Sequence, residues 1–407
     1  MRPNQAAWIL TAAIVMVAIG CNDNDAGTDP GGTGGTSGTP GTGGTGGVDP
    51  SLVERGKDIF RNDTFGDEAL WTDTLELHTV IAAAVDPLTA LAVGLKVDAS
   101  VLPEGILDTA DLTDPATTVA LLKLDAVVGL KGTVEEIDGT DTLTSVGITC
   151  ASCHSTVDNS VMPGIGNRLD GWPNRDLDPG LILSLSPALQ DPATQAVLTS
   201  WGPGMYDAYW NQDGINAPQV IPPAYGLAGV DLETFTGEGP VSYWNAYVAI
   251  TQMGGLGTFA DERLGIDIVA DPDLVTPKLE ALRAYQLSLL PPPPPPGSYD
   301  EASAALGKTL FEGKAQCATC HSGPTFTDAN DTLHTPQEVG LDPTLAMRGT
   351  TGMYRTTPLR GVWQHPPYFH DASAATLRDV VDHYDAVLTL ELTEAEKGHL
   401  VEYLRSL

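Results

Sequence analysis

The sequence predicts a mainly α-helical protein made of two domains in tandem, the first enlarged by a long insertion. Three observations predict this. The motif Cys-x-x-Cys-His occurs twice, as Cys150-Ala151-Ser152-Cys153-His154 and as Cys317-Ala318-Thr319-Cys320-His321. Each copy is preceded by Gly-Lys-x-x-Phe (Gly56 to Phe60, Gly307 to Phe311) and followed by Leu-x-x-Tyr-x-x-Ser-Leu (Leu282 to Leu289, Leu400 to Leu407). Six consecutive prolines, Pro291 to Pro296, divide the two repeats.

Taken in order, residues 1–20 hold one basic residue, Arg2, and an apolar run from Ala6 to Gly20. A run of about 15 residues suits the core of a secretory signal peptide better than a membrane span. It ends Ala18-Ile19-Gly20-Cys21, which resembles the lipobox of bacterial lipoproteins, although Ala18 stands where Leu is usual. The resemblance implies that Cys21 is lipidated and becomes the N-terminus; the alternative is an ordinary signal peptide with an incidental Cys. Residues 21–50 are Gly, Thr, Pro and Asp with few apolar side chains, which cannot build a core and read as a flexible tether. The expected location is the bacterial cell envelope, facing the periplasm or the exterior, held to a membrane by the lipid anchor only.

Residues 51–290 form the expected first domain and 298–407 the second. The prolines within 291–297 form a polyproline II linker of about 19 Å. In the second domain Thr393 and Glu396 make a capping box ahead of a helix that puts Leu400, Tyr403 and Leu407 on one face. In the first, Thr276 and Pro277 serve as N-cap and N1 of the equivalent helix. Gly307 and Cys317 are ten positions apart, whereas Gly56 and Cys150 are 94 apart. That insertion reads as helix and loop, with an apolar stretch from Thr118 to Val128 and polar breaks at Asp108–Asp114 and Asp138–Asp141. No alternation is long enough to predict a sheet.

Cys-x-x-Cys-His is the attachment signature of c-type haem. The two thiols are spaced to add across the vinyl groups of one porphyrin, and the adjacent His is held under the iron as a neutral imidazole donor. The competing readings are a four-Cys zinc site or a pair of redox dithiols. Zinc does not require a His after each pair, and neither pair sits on a βαβ pattern. Four of the five cysteines fall in the two motifs and the fifth is Cys21, leaving none for a structural disulfide. The expected cofactors are two covalent haem c groups, on Cys150 and Cys153 with His154, and on Cys317 and Cys320 with His321.

The formal charge of −33 argues against nucleic acid and anionic lipid headgroups as partners. It suits a basic redox partner protein such as a small basic cytochrome, and equally suits plain solubility.

The order of helix, motif and closing helix resembles class I cytochrome c, whose first and last helices cross at a Gly/aromatic contact. Residues 300–407 further resemble the C-terminal domain of the bacterial di-haem cytochrome c peroxidase and MauG family. The match runs through Thr357-Pro358-Leu359-Arg360-Gly361-Val362, Pro367-Tyr368-Phe369-His370-Asp371 and Thr376-Leu377-Arg378-Asp379-Val380-Val381. In that family a Met or a Tyr after this segment is the sixth ligand of the second haem, and ungapped alignment puts it on Tyr384. On a helix Leu377, Val380, Val381 and Tyr384 share one face, with His383 about 100° away. Met347, Met353, His370 and His383 remain the rivals, and no Met follows Met353.

For the first haem, a helix from about Trp71 would carry Trp71, Leu75, His78, Ala82 and Val85 as one stripe, which makes His78 a candidate distal ligand or catalytic residue. A satisfied core histidine is the plainer reading, and Met253 and Met162 are the thioether alternatives. Tyr243-Trp244-Asn245 stands where the peroxidases have an aromatic-Trp-Asp-Gly segment. The carboxylate they carry there is not matched, and Gln252 is the nearest polar residue. Trp172 and Trp244 are candidates to line a path between haems. The resemblance implies an oxidoreductase that takes a small oxidant such as hydrogen peroxide. The missing Met and carboxylate favour a plain di-haem electron carrier instead. A metal-binding surface lipoprotein is the third reading.

Overall fold

The computed structural model describes residues 49–407. The 1–20 leader, Cys21 and residues up to 48 of the tether lie outside them. Helix α1 (Pro50–Asn62) starts where the Asp49 carboxylate accepts from the Ser51 N–H and Pro50 fills the first turn. Its buried face is Gly56, Ile59 and Phe60, an i, i+3, i+4 pattern. That face crosses α6 (Leu279–Ser288), whose Ala281, Leu282 and Tyr285 are buried. Gly56 lies against the Ala281 carbonyl so closely that a Cβ there would overlap it. Phe60 meets Tyr285 edge-on at 5.4 Å.

The crossing recurs in the last hundred residues. Helix α7 (Glu301–Glu312) buries Ala304, Gly307 and Phe311, and α9 (Glu394–Arg405) buries Leu400, Tyr403 and Leu404. Gly307 sits on the His399 carbonyl as Gly56 sits on Ala281, and Phe311 meets Tyr403 at 5.1 Å. The Thr393/Glu396 capping box is present. On the first copy Thr276 is not the N-cap. Thr276–Lys278 is a 3₁₀ turn, with Asp273 accepting from the Val275 and Thr276 N–H groups.

The described residues are 42% helical, so the mainly α expectation holds. The insertion, however, contains a sheet that the periodicity did not predict. Strands β1 (Leu130–Ile137) and β2 (Thr140–Ile148) pair antiparallel, with a bulge at Thr133/Val134. Half of β1 is exposed and none of it is buried, so it has no apolar alternation to read. The available signal was Asp138-Gly139, both at positive φ, the dipeptide of a two-residue hairpin turn. The predicted helix from Trp71 to Val85 is also corrected. A π-helical turn (Ala69–Thr74) is capped by Leu75, Glu76 then takes a left-handed φ of 54°, and a separate α2 (Leu77–Ala84) follows. Trp71 and Leu75 therefore do not share a helical stripe with His78 and Ala82.

The segments before and after the prolines share a core. Leu345, Ala346 and Tyr354 join the cluster built by Phe60, Tyr247 and Leu282. Arg348, almost wholly buried, spans the seam with two bonds each to Asp207 and Asp213. Trp363 reaches back to donate to the Pro292 carbonyl of the proline run. No helix among the described residues is long and apolar enough to cross a membrane.

Candidate functional site

The first motif lies on a single helical turn, α4 (Ala151–His154), directly after β2. The second follows α7 as a 3₁₀ turn (Cys317–Thr319), entered through Gln316 at a φ of 56°. Both histidines are anchored in one way. His154 Nδ1 lies 3.0 Å from the Pro222 carbonyl oxygen, and His321 Nδ1 lies 3.0 Å from that of Phe326. A carbonyl only accepts, so Nδ1 carries the proton and Nε2 keeps its lone pair. Burial lowers both imidazole pKa values, that of His154 to about 4, so each is a neutral donor. Burial likewise pushes the Cys150 and Cys153 thiols up to about 12 and that of Cys317 to about 11. All four cysteines are free of disulfides.

The two motifs do not join in a shared metal cage. Among the described residues the group that does gather metal-type ligands is Cys320, Asp328 and His334, and the first motif takes no part in it. A four-Cys zinc centre is therefore not what this geometry builds.

A cavity of about 240 Å³ opens beside the second motif. Phe311, Cys317, Cys320 and His321 form one wall, and Leu377, Val380, Val381 and Tyr384 of α8 (Leu377–Leu388) form another. The first segment contributes Arg175, Pro222, Tyr225 and Phe235. This lining fits a covalent tetrapyrrole. Both sulfurs and the imidazole reach an apolar slot, and a buried cation, Arg175, faces it with two N–H groups that find no partner among the described residues.

The candidate sixth ligands separate by position. Tyr384 lines the cavity, and burial followed by the nearby Cys320 and Cys317 raises its phenol to about 12. His383 does not line it and points Nε2 at the Val339 carbonyl, 2.8 Å away. His370 also lines the cavity but stacks on Tyr354 at 4.8 Å, with Nε2 3.3 Å from that hydroxyl. Met347 is 73% exposed and Met353 36%, and neither borders the cavity.

Around the first motif the structure brings up a residue the sequence reading missed. Tyr206 donates to Gln252 Oε1 at 3.0 Å, and Gln252 Nε2 reaches Asn211 Oδ1 at 3.1 Å and Thr251 Oγ1 at 2.8 Å. Burial first, then Cys153, raises the Tyr206 phenol pKa, which places Gln252 in a polar chain leading toward that motif. No spacing marked Tyr206 out. His78 is half-buried on α2, whose main neighbours are β2 and α3 (Pro115–Lys123), and its Nδ1 has no partner among the described residues. Met253 is buried in the core that Cys150 packs against, and Met162 packs in a different cluster. Trp172 meets Trp363 edge-on at 6.1 Å across the two segments, whereas Trp244 packs on Tyr209, Tyr243 and Tyr247.

No protein-family model matches the chain. It is 33% identical over 127 residues to the methylamine utilization protein MauG of Methylorubrum extorquens, covering 26% of this chain and 35% of the relative. It is 30% identical over 151 residues to the cytochrome-c peroxidase IdrP1 of Denitromonas iodatirespirans, covering 26% and 40%. Among solved structures, a hydrazine synthase of Kuenenia stuttgartiensis aligns over 47% of this chain and 73% of its own, at 20% identity and a TM-score of 0.33. The chain thus spans under half the length of the curated relatives it matches. Over about a quarter of its length, this protein is a homologue of the MauG and cytochrome-c peroxidase proteins.

Proposed function

We propose that this chain is a di-haem c-type cytochrome acting in electron transfer, an oxidoreductase of the peroxidase/MauG kind. One haem c is held by Cys150, Cys153 and His154, the other by Cys317, Cys320 and His321. The observation that carries the reading is the paired anchoring of His154 and His321: each Nδ1–H is committed to a backbone carbonyl, which leaves Nε2 as the lone-pair nitrogen of a histidine that follows two cysteines. When bound, the haems supply one-electron chemistry. The protein's own part is to fix the imidazole tautomers, exclude water from the apolar slot and choose the sixth ligand.

At the second site Tyr384 is the proposed sixth ligand, because it faces the cavity that His321 faces while His383 and both nearby methionines do not. That iron is the electron port. The first site, beside the Tyr206–Gln252 chain, is the proposed reaction centre for a small oxidant such as hydrogen peroxide. Gln252 favours the second reading, a carrier without peroxidase activity, because an amide does not serve as general acid or base at neutral pH. Export, lipid attachment at Cys21 and a basic redox partner complete the proposal.

Intact mass and pyridine haemochrome should show two haems per chain. A count of one or none in protein made by a haem-attaching host overturns the reading. Electron paramagnetic resonance of the oxidised protein then separates enzyme from carrier. One high-spin and one low-spin signal support the enzyme; two low-spin signals with no peroxide reaction leave the carrier.

A further inference from the structure

Three arginines border the cavity at the second motif, and their surroundings differ. Arg355 is ion-paired with Glu233 at 2.7 Å, and Arg360 is exposed and donates to the Pro324 carbonyl. Arg175 reaches in from the first segment, twenty-one residues beyond His154. One of its nitrogens, Nη2, donates to the His365 carbonyl at 2.9 Å. Nε and Nη1 are buried without a partner among the described residues. Burial pulls the guanidinium down to about 10, with only the phenols of Tyr225 and Tyr368 acting against it. Those phenols are engaged elsewhere, donating to the Gly361 and Val362 carbonyls. The adjacent carboxylate, Asp176, pairs with Lys96.

A guanidinium buried with two free N–H groups and no counter-ion is a strongly unfavourable state. It becomes favourable when carboxylate oxygens accept from those nitrogens, a charge-assisted bond that Arg makes readily. Of the groups proposed for this cavity, the tetrapyrrole is the one that brings carboxylates. Resting on the haem reading above, we infer that Arg175 anchors a propionate carboxylate of the haem attached at Cys317 and Cys320. The first segment thereby supplies the counter-charge of the second segment's cofactor and sets its potential. Arg175 is a positioning residue, since it touches the cofactor's edge and not the reacting iron. The cofactor in turn links the two segments, because its thioethers belong to one and its charge partner to the other.

The test uses the full-length haem-loaded protein and its R175Q and R175K variants, with haem counted in each and both midpoint potentials titrated spectroelectrochemically. Removing the positive charge beside a negative haem edge favours the ferric state. R175Q should lower the ferric-to-ferrous equilibrium constant of the second haem at least tenfold, which is 59 mV for a one-electron couple. The first haem should move less than twofold, and R175K should recover at least half the shift. Should R175Q not accumulate, R175K decides: losing the guanidinium donors, it should move the propionate bending band in resonance Raman. Two haems with a second couple within threefold of wild type in R175Q, or an unmoved propionate band in R175K, overturns the inference alone. A wild-type protein lacking haem on Cys317 and Cys320 overturns the haem reading first, and that count is made before any variant is compared.

Discussion

The two Cys-x-x-Cys-His sites share their local construction and differ in where their supports come from. At the second site the carbonyl that fixes His321 belongs to Phe326, five residues on. At the first, the carbonyl that fixes His154 belongs to Pro222, 68 residues on, and Pro222 also lines the second site's cavity. The second site's supports on its own motif are therefore local, whereas the first is completed by chain that folds back. The helix crossings show the same contrast. Gly307 and Cys317 are close in sequence, while the chain between Gly56 and Cys150 makes a hairpin and several short helices before returning to an equivalent place. An insertion of that size is tolerated because it enters between two fixed contacts, the glycine crossing and the histidine anchor, without displacing either.

The sharpest way to break this equivalence is at the glycines. A methyl at Gly56 or Gly307 overlaps a backbone carbonyl, which cannot rotate aside, so the helices must separate. Gly56→Ala and Gly307→Ala should each cost about 3 kcal/mol, less the ~1 kcal/mol that Ala gains over Gly in a helix. Denaturant unfolding of the two variants checks this. Equal losses mean that the crossings are equivalent; a loss at Gly307 alone means that the insertion has relaxed the first one.

A second prediction concerns a group with no counterpart at the second site. Asp67, fully buried, accepts from the Ile148 N–H at 3.2 Å, just ahead of Cys150. Burial raises its pKa to about 9. The native chain then keeps this carboxyl protonated while the unfolded chain ionises above about 4. The unfolded state binds fewer protons through that window, so Asp67 makes stability fall as pH rises from about 4 to about 9, by up to ~1.4 kcal/mol per pH unit. Asp67→Asn keeps an acceptor for Ile148 and removes the titration. It should stabilise the protein at pH 8, by at most the roughly 5 kcal/mol that this slope allows from pH 4, and leave it unchanged near pH 3. Parallel stability-against-pH curves for variant and wild type would sink this account.

What was legible in the sequence follows from the same contrast. The motifs, the Gly/Phe and Leu/Tyr pairs and the Thr393 cap lie in short periodic segments, where spacing alone decides which side chains meet. Tyr206, Asp67 and Arg175 carry no local pattern, because their environment is made by residues tens of positions away. The hairpin at Asp138-Gly139 was readable from its turn but not from its strands, whose exposed faces give no alternation. The broken helix before His78 was missed because Glu76 takes a left-handed conformation that no local residue pattern marks.

The smallest effect on stability, and the finest test of the comparison, comes from the two tyrosines. The Tyr384 hydroxyl has no hydrogen bond among the described residues that would be lost on removal, and its ring rests on Phe369 at 5.9 Å. Tyr384→Phe keeps that ring and should change stability by under about 1 kcal/mol. If Tyr384 is the second iron's ligand, the same change removes one axial oxygen and converts that site from low-spin to high-spin, leaving the first signal as it was. Tyr206→Phe removes a donor to Gln252 and should cost about 1 kcal/mol, with the second signal unmoved. The two spectra assign each tyrosine to its site. An unchanged spectrum in Tyr384→Phe would transfer the ligand role to His370, the other candidate that borders the cavity; His370→Ala would then produce the high-spin signal.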